Sequence, residues 1–143
     1  MSEILSGYLT DNCKLTKLAD HATAATSEVT SAELDMAGFE GVVFFTSFGT
    51  AAANNLITVH GCATSGGSFA ATTALVASGT SDEDVILDVR SPSTRYLKLV
   101  ASRGTSSTCE SIWALQYNAR RKNQTSDLSG TANVAQFTTS PAA

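Results

Sequence analysis

At 143 residues and 14.8 kDa the chain is one domain long. Charged residues make up only 15%, against roughly 25% in an average soluble domain, while 18 Ser and 19 Thr fill the gap, and the formal charge is −4. That balance excludes a basic nucleic-acid binder, which needs a cationic field. The absence of any apolar run near 20 residues excludes a helical membrane span.

In chain order, Met1–Leu5 lacks the basic start and long apolar stretch of a secretory signal. Leu15–Leu18 and Glu28–Leu34 are predicted as two weak strands, with Ala22–Ser27 between them. A short helical turn is predicted at Asp35-Met36-Ala37-Gly38. Six stronger strands follow: Val42–Phe48, Leu56–His60, Thr73–Val76, Val85–Val89, Tyr96–Val100 and Ile112–Tyr117. Each is short and rich in β-branched and aromatic residues, which suit a pleated, half-buried surface. Their period of two places Val85, Leu87 and Val89 on one face, as it does Leu97, Leu99 and Ala101, and Trp113, Leu115 and Tyr117. The predicted core is Phe44, Val59, Leu87, Leu97, Leu99, Trp113 and Leu115.

The connectors carry turn chemistry. Ser65-Gly66-Gly67-Ser68, Ser78-Gly79-Thr80-Ser81-Asp82, Ser91-Pro92-Ser93 and Arg103–Ser107 all suit reversals. Seven or eight short strands without βαβ alternation predict an all-β fold, an antiparallel β-sandwich or jelly roll. The domain is expected over residues 1–117, with 1–30 the least defined part. An extended, low-complexity C-terminal arm is expected over 118–143. The arm carries a charge of +2 against −6 for the preceding 117 residues. Too weakly apolar to form its own core, it is expected to order on a partner. Arg120, Arg121 and Lys122 would anchor it electrostatically, and Leu128, Val134 and Phe137 would add apolar contacts.

Little in the sequence signals catalysis or metal binding. Cys13, Cys62 and Cys109 have no pairing spacing and read as small buried hydrophobes in reduced form. His60 and Cys62 share a strand face but supply two ligands where a structural zinc site needs four. Asp82-Glu83-Asp84 lacks the interleaved Gly or Asn of a calcium loop and reads as a solvated turn. The Gly66-Gly67 stretch has no following Lys or helix to cradle phosphate. Trp113 could be a sugar platform, but its phase reads as core. The expectation is therefore a non-enzymatic protein with no cofactor and no metal.

Three stretches carry a resemblance. They are Asp35-Met36-Ala37-Gly38-Phe39-Glu40-Gly41-Val42-Val43-Phe44-Phe45, then Asp88-Val89-Arg90-Ser91-Pro92-Ser93-Thr94-Arg95-Tyr96-Leu97, and Ala114-Leu115-Gln116-Tyr117-Asn118-Ala119-Arg120-Arg121-Lys122. In order and spacing the chain resembles small virion structural proteins of tailed bacteriophages, in particular capsid decoration or cement proteins. The resemblance implies a location on the capsid surface of the virion. It implies two partners, the major capsid protein and the chain itself as a homo-oligomer (dimer or trimer). Neither nucleic acid nor membrane is an expected partner. Other expectations are a head–tail or tail component and a carbohydrate-binding or adhesive module.

Overall fold

The computed structural model describes residues 12–119. They form eleven strands: β1 (Lys14–Ala19), β2 (Ala22–Ala25), β3 (Val29–Thr30), β4 (Leu34–Asp35), β5 (Gly41–Ser47), β6 (Asn55–Cys62), β7 (Ala70–Ala77), β8 (Asp84–Arg90), β9 (Tyr96–Arg103), β10 (Ser107–Cys109) and β11 (Ile112–Tyr117). One sheet has the order β1-β11-β5-β8 and the other β3-β9-β6-β7, with β4 also paired to β9. Every pairing is antiparallel. Strands cross repeatedly between the sheets in the jelly-roll order, so the expected all-β sandwich is the fold.

The sheets meet on a core that includes Leu18, Val42, Phe44, Val85, Ile112 and Ala114 from the first and Leu34, Ile57, Val59, Leu97, Leu99 and Ala101 from the second. Burial of each large member contributes about 1.5–3 kcal/mol. Leu87 packs half-buried against this cluster, as its phase requires.

β11 runs in the opposite phase to the one expected. Ile112, Ala114 and Gln116 face inward, while Trp113, Leu115 and Tyr117 face out and are only half-buried. Both faces of this strand are apolar, and its largest side chains point away from the core. The buried amide of Gln116 is satisfied because its Nε2 donates to the Asp35 carbonyl at 2.9 Å.

Two segments read as connectors are strands. β2 and β10 pair with each other and prolong the β1–β11 pair past a break, where His21 Nδ1 lies 3.1 Å from Glu110 Oε1. Their small residues offer little apolar signal; a buried arginine organises them instead. Arg103 donates to the carbonyls of Thr23 (2.7 Å), Ser27 (2.7 Å) and Ser107 (2.8 Å). The expected strand Glu28–Leu34 is broken into β3 and β4 by Ser31, whose hydroxyl accepts from Leu99 N–H at 2.9 Å.

The expected helical turn is a tight turn closed by side chains. Asp35 Oδ1 accepts from Ala37 N–H at 2.9 Å, and Gly38 takes φ 90 to leave it. The described ends of the chain lie together, with Ala119 N–H donating to the Asn12 carbonyl at 3.1 Å.

Candidate interaction surface

The inverted phase of β11 has a functional consequence. Cross-strand register lines up Lys17, Trp113, Phe45 and Ile86 in one row across the outer face of the first sheet. The next row is Leu15, Leu115, Val43 and Asp88, and the third brings Tyr117, Gly41 and Arg90 together. Six large apolar side chains thus share a face turned away from the core, and Ile86 is 65% exposed. Contiguous outward apolar patches of this kind mark interaction surfaces.

At one end of this face lies a groove of about 400 Å³. Trp113, Phe45 and Ile86 form its apolar floor, and Asp84, Glu110 and Ser111 rim it. Asp82 and Glu83 continue the negative charge into the adjoining turn. Aromatic side chains and carboxylates lining one groove suit a cationic or polyhydroxylated ligand.

At the other end is a polar cluster. Tyr117 Oη donates to Asp88 Oδ1 at 2.6 Å, and Arg90 Nε donates to Asp88 Oδ2 at 3.0 Å. The tyrosine hydroxyl and then the guanidinium hold the Asp88 carboxyl below its ordinary value. Desolvation, followed by the bond to Asp88, pushes the Tyr117 phenol up. Ser91 (φ 49) and Asn118 (φ 53), both in the left-handed region, line this end beside Glu40. Nearby, Arg95 grips Asp35 through two bonds of 2.9 and 3.0 Å, which hold the Asp35 carboxyl low.

The residues singled out from sequence fall in several places. Arg120, Arg121, Lys122, Leu128, Val134 and Phe137 lie outside the described residues. His60 and Cys62 do share the outer face of β6, opposite Lys98 and Tyr96 of β9. Among the described residues no group of three His, Cys, Asp or Glu side chains converges on a metal position. Cys13 and Cys109 are buried thiols whose pKa values are raised by desolvation, and Cys62 is half-buried. Asp82 and Glu83 lead into β8 as expected, and Asp84, its first residue, also lines the groove. Sequence reading missed the outer face itself. The signal present was the second apolar phase of Ile112–Tyr117 together with Val43, Phe45 and Ile86.

No protein-family model matches the chain, and no curated protein matches its sequence. Among solved structures it is similar to the SPBc2 prophage-derived protein YomS. That likeness is 12% identical, covers 73% of this chain and 93% of the other, and has a TM-score of 0.45. A second likeness is to a chain from the structure described as "Bacillus endospore appendages form a novel family of disulfide-linked pili". It is 12% identical, covers 76% and 89% of the two chains, and has a TM-score of 0.41. Both likenesses are too distant to bear on what this chain does.

Proposed function

We propose that the chain is a bacteriophage capsid decoration protein, a non-enzymatic module that binds the outer shell and bridges neighbouring capsid subunits. The observation that carries this reading is the outer face of the β1-β11-β5-β8 sheet. There Leu15, Val43, Phe45, Ile86, Trp113 and Leu115 are placed away from the core. A domain whose interior is already filled has no folding use for such a face, whereas a docking protein does. The resemblance of Asp35–Lys122 to decoration proteins supplies the partner, the major capsid protein. A shell component that binds only the assembled lattice stabilises it by mass action.

The test is a shell-binding assay with Val43→Glu and Leu115→Glu proteins, alongside electron microscopy of particles carrying the wild-type chain. Binding to undecorated shells is expected to fall at least tenfold, with density seen on the capsid surface. Particles lacking the protein are expected to keep the lattice and lose DNA at a lower temperature. Density confined to the portal or tail would replace this reading with a head–tail or tail role, and stalled immature shells would end it.

One observation favours a second reading, a carbohydrate-binding module. Trp113 and Phe45 line the groove beside Asp84 and Glu110. Sugars stack on such rings while carboxylates accept from their hydroxyls. Binding on a glycan array that disappears with Trp113→Ala would favour it.

A further inference from the structure

The groove at the Trp113 end of the outer face combines two features that seldom coincide without a ligand. Its floor is aromatic and aliphatic, through Trp113, Phe45 and Ile86, and its rim is anionic, through Asp84 and Glu110. A guanidinium group matches both. Its flat face stacks on an aromatic ring, and its N–H fork bonds carboxylates. Asp82, Glu83 and Asp84 have no ion pair within the described residues, so the rim's charge is uncompensated on the side of β8.

The chain carries the matching segment itself. Arg120-Arg121-Lys122 begins one residue after the described part ends, in a tail whose charge is opposite to that of the domain. Geometry decides whose groove it can reach. Ala119 is fixed at the far corner by its bond to Asn12. Along β5 the level of Tyr117 (Gly41) and that of Asp84 (Ser47) lie six residues, about 20 Å, apart. Arg121 is two residues beyond Ala119, which returns at most about 7 Å of backbone, and its extended side chain adds about as much again. That reach falls short of the Asp84 carboxylate on the same domain.

We infer that Arg120 and Arg121 of one copy dock in the Trp113–Phe45–Asp84–Glu110 groove of a second copy. Donor and acceptor surfaces lie at opposite ends of the sheet. The contact is thus head-to-tail and continues from copy to copy until a ring closes. It takes up the Trp113 end of the face on which shell docking is proposed, so shell binding is read on Val43 and Leu115, which do not line the groove.

Sedimentation velocity of the full-length protein tests this. The wild type is expected to associate with increasing concentration, and its association constant to drop at least tenfold between 50 and 500 mM salt, as about three screened charges require. A groove variant (Asp84→Asn with Glu110→Gln) and a tail variant (Arg120→Gln with Arg121→Gln) are each expected to remain monomeric. Mixed in equal amounts they are expected to give a two-chain species and nothing larger, because one intact tail meets one intact groove. The tail variant changes no residue of the described strands, so its loss of association cannot arise from a disrupted sandwich; circular dichroism checks the groove variant. The inference is overturned if the wild type is monomeric throughout, as it would be were the groove to serve only another protein's basic segment. It is equally overturned if either variant associates like the wild type, or if the mixture stays monomeric.

Discussion

Tyr117 reaches Asp88 across the full width of an intervening strand, with a hydroxyl–carboxylate distance of 2.6 Å. It does so by lying over Gly41, its partner on β5, and reaching diagonally to the neighbouring row, where Asp88 faces Val43. A Cβ at Gly41 would occupy the space of the Tyr117 ring. The glycine is therefore a passage for a side chain rather than a hinge.

Gly41→Ala is accordingly expected to displace the ring, break the bond to Asp88 and cost about 1–3 kcal/mol, the usual scale of overpacking. The same substitution in a Tyr117→Ala background is expected to cost much less. A double-mutant cycle by urea denaturation checks the coupling, and additive losses would contradict the geometry.

Arg103 sets up a second expectation. The residue is 5% exposed and its hydrogen bonds run to three backbone carbonyls and the Ser27 hydroxyl rather than to a carboxylate. Arg103→Met leaves those carbonyls without donors and is expected to cost about 2–5 kcal/mol. Arg103→Lys is expected to recover less than half of that, since an ammonium cannot copy the planar fork. Amide exchange should accelerate first in Ala22–Ala25 and Ser107–Cys109.

The inverted phase of β11 separates two substitutions that sequence reading treats alike. Leu99 is fully buried, so Leu99→Ala is expected to cost about 2–5 kcal/mol through lost burial and a cavity. Trp113 lies on the outer face, and Trp113→Ala is expected to cost about 1 kcal/mol or less in the free protein. Its effect should appear instead in association or shell binding. Equal losses of stability at the two positions would place Trp113 in the core after all.

Acid should loosen the fold in a defined window. The Asp35 carboxyl is held below its ordinary value by Arg95, that of Asp88 by Tyr117 and then Arg90, and that of Glu33 by the Gly66 N–H and then the Ser65 hydroxyl. Below about pH 4 the unfolded chain takes up protons that the folded chain still refuses. Stability is therefore full above that value and is lost as pH falls through the lower native values. These groups are exposed or half-exposed, so each contribution is small. Tyr117 has the opposite sign: its raised pKa adds stability that is lost as pH rises above about 10. Thermal melts from pH 2 to 11 should show a plateau with both shoulders. Tyr117→Phe should flatten the alkaline shoulder, and an unchanged shoulder would contradict this assignment.

What sequence could reveal followed from the strength of side-chain alternation. Val85–Val89 and Tyr96–Val100 were legible through alternation and Val42–Phe48 through its concentration of β-branched and aromatic residues, and Gly66 and Gly79 mark real turns at φ 72 and 73. β2 and β10 were illegible because Ala, Ser and Thr give no periodic signal, and their pairing depends on an arginine some 80 residues away from Thr23. The outer face was misread for a different reason. Side-chain size suggested that Trp113 and Leu115 fill the core, yet the interior at β11 accommodates Ile112, Ala114 and an amide, Gln116. Binary pattern alone cannot choose between two apolar phases of one strand.

The pairing of β1 with β11 has a consequence for how the chain is made. β11 is the last described strand to be synthesised, yet it sits between β1 and β5 in the sheet. Until Ile112–Tyr117 leaves the ribosome, Leu18 on β1 has no sheet to join, and β5 has a neighbour only in β8. The second sheet can assemble earlier, since β6, β7 and β9 are all complete by Arg103. Closure of the sandwich therefore waits for β11. A chain cut a few residues before Tyr117 would lose more than its final strand: β1 would have no partner, and half of the interior would remain open to water.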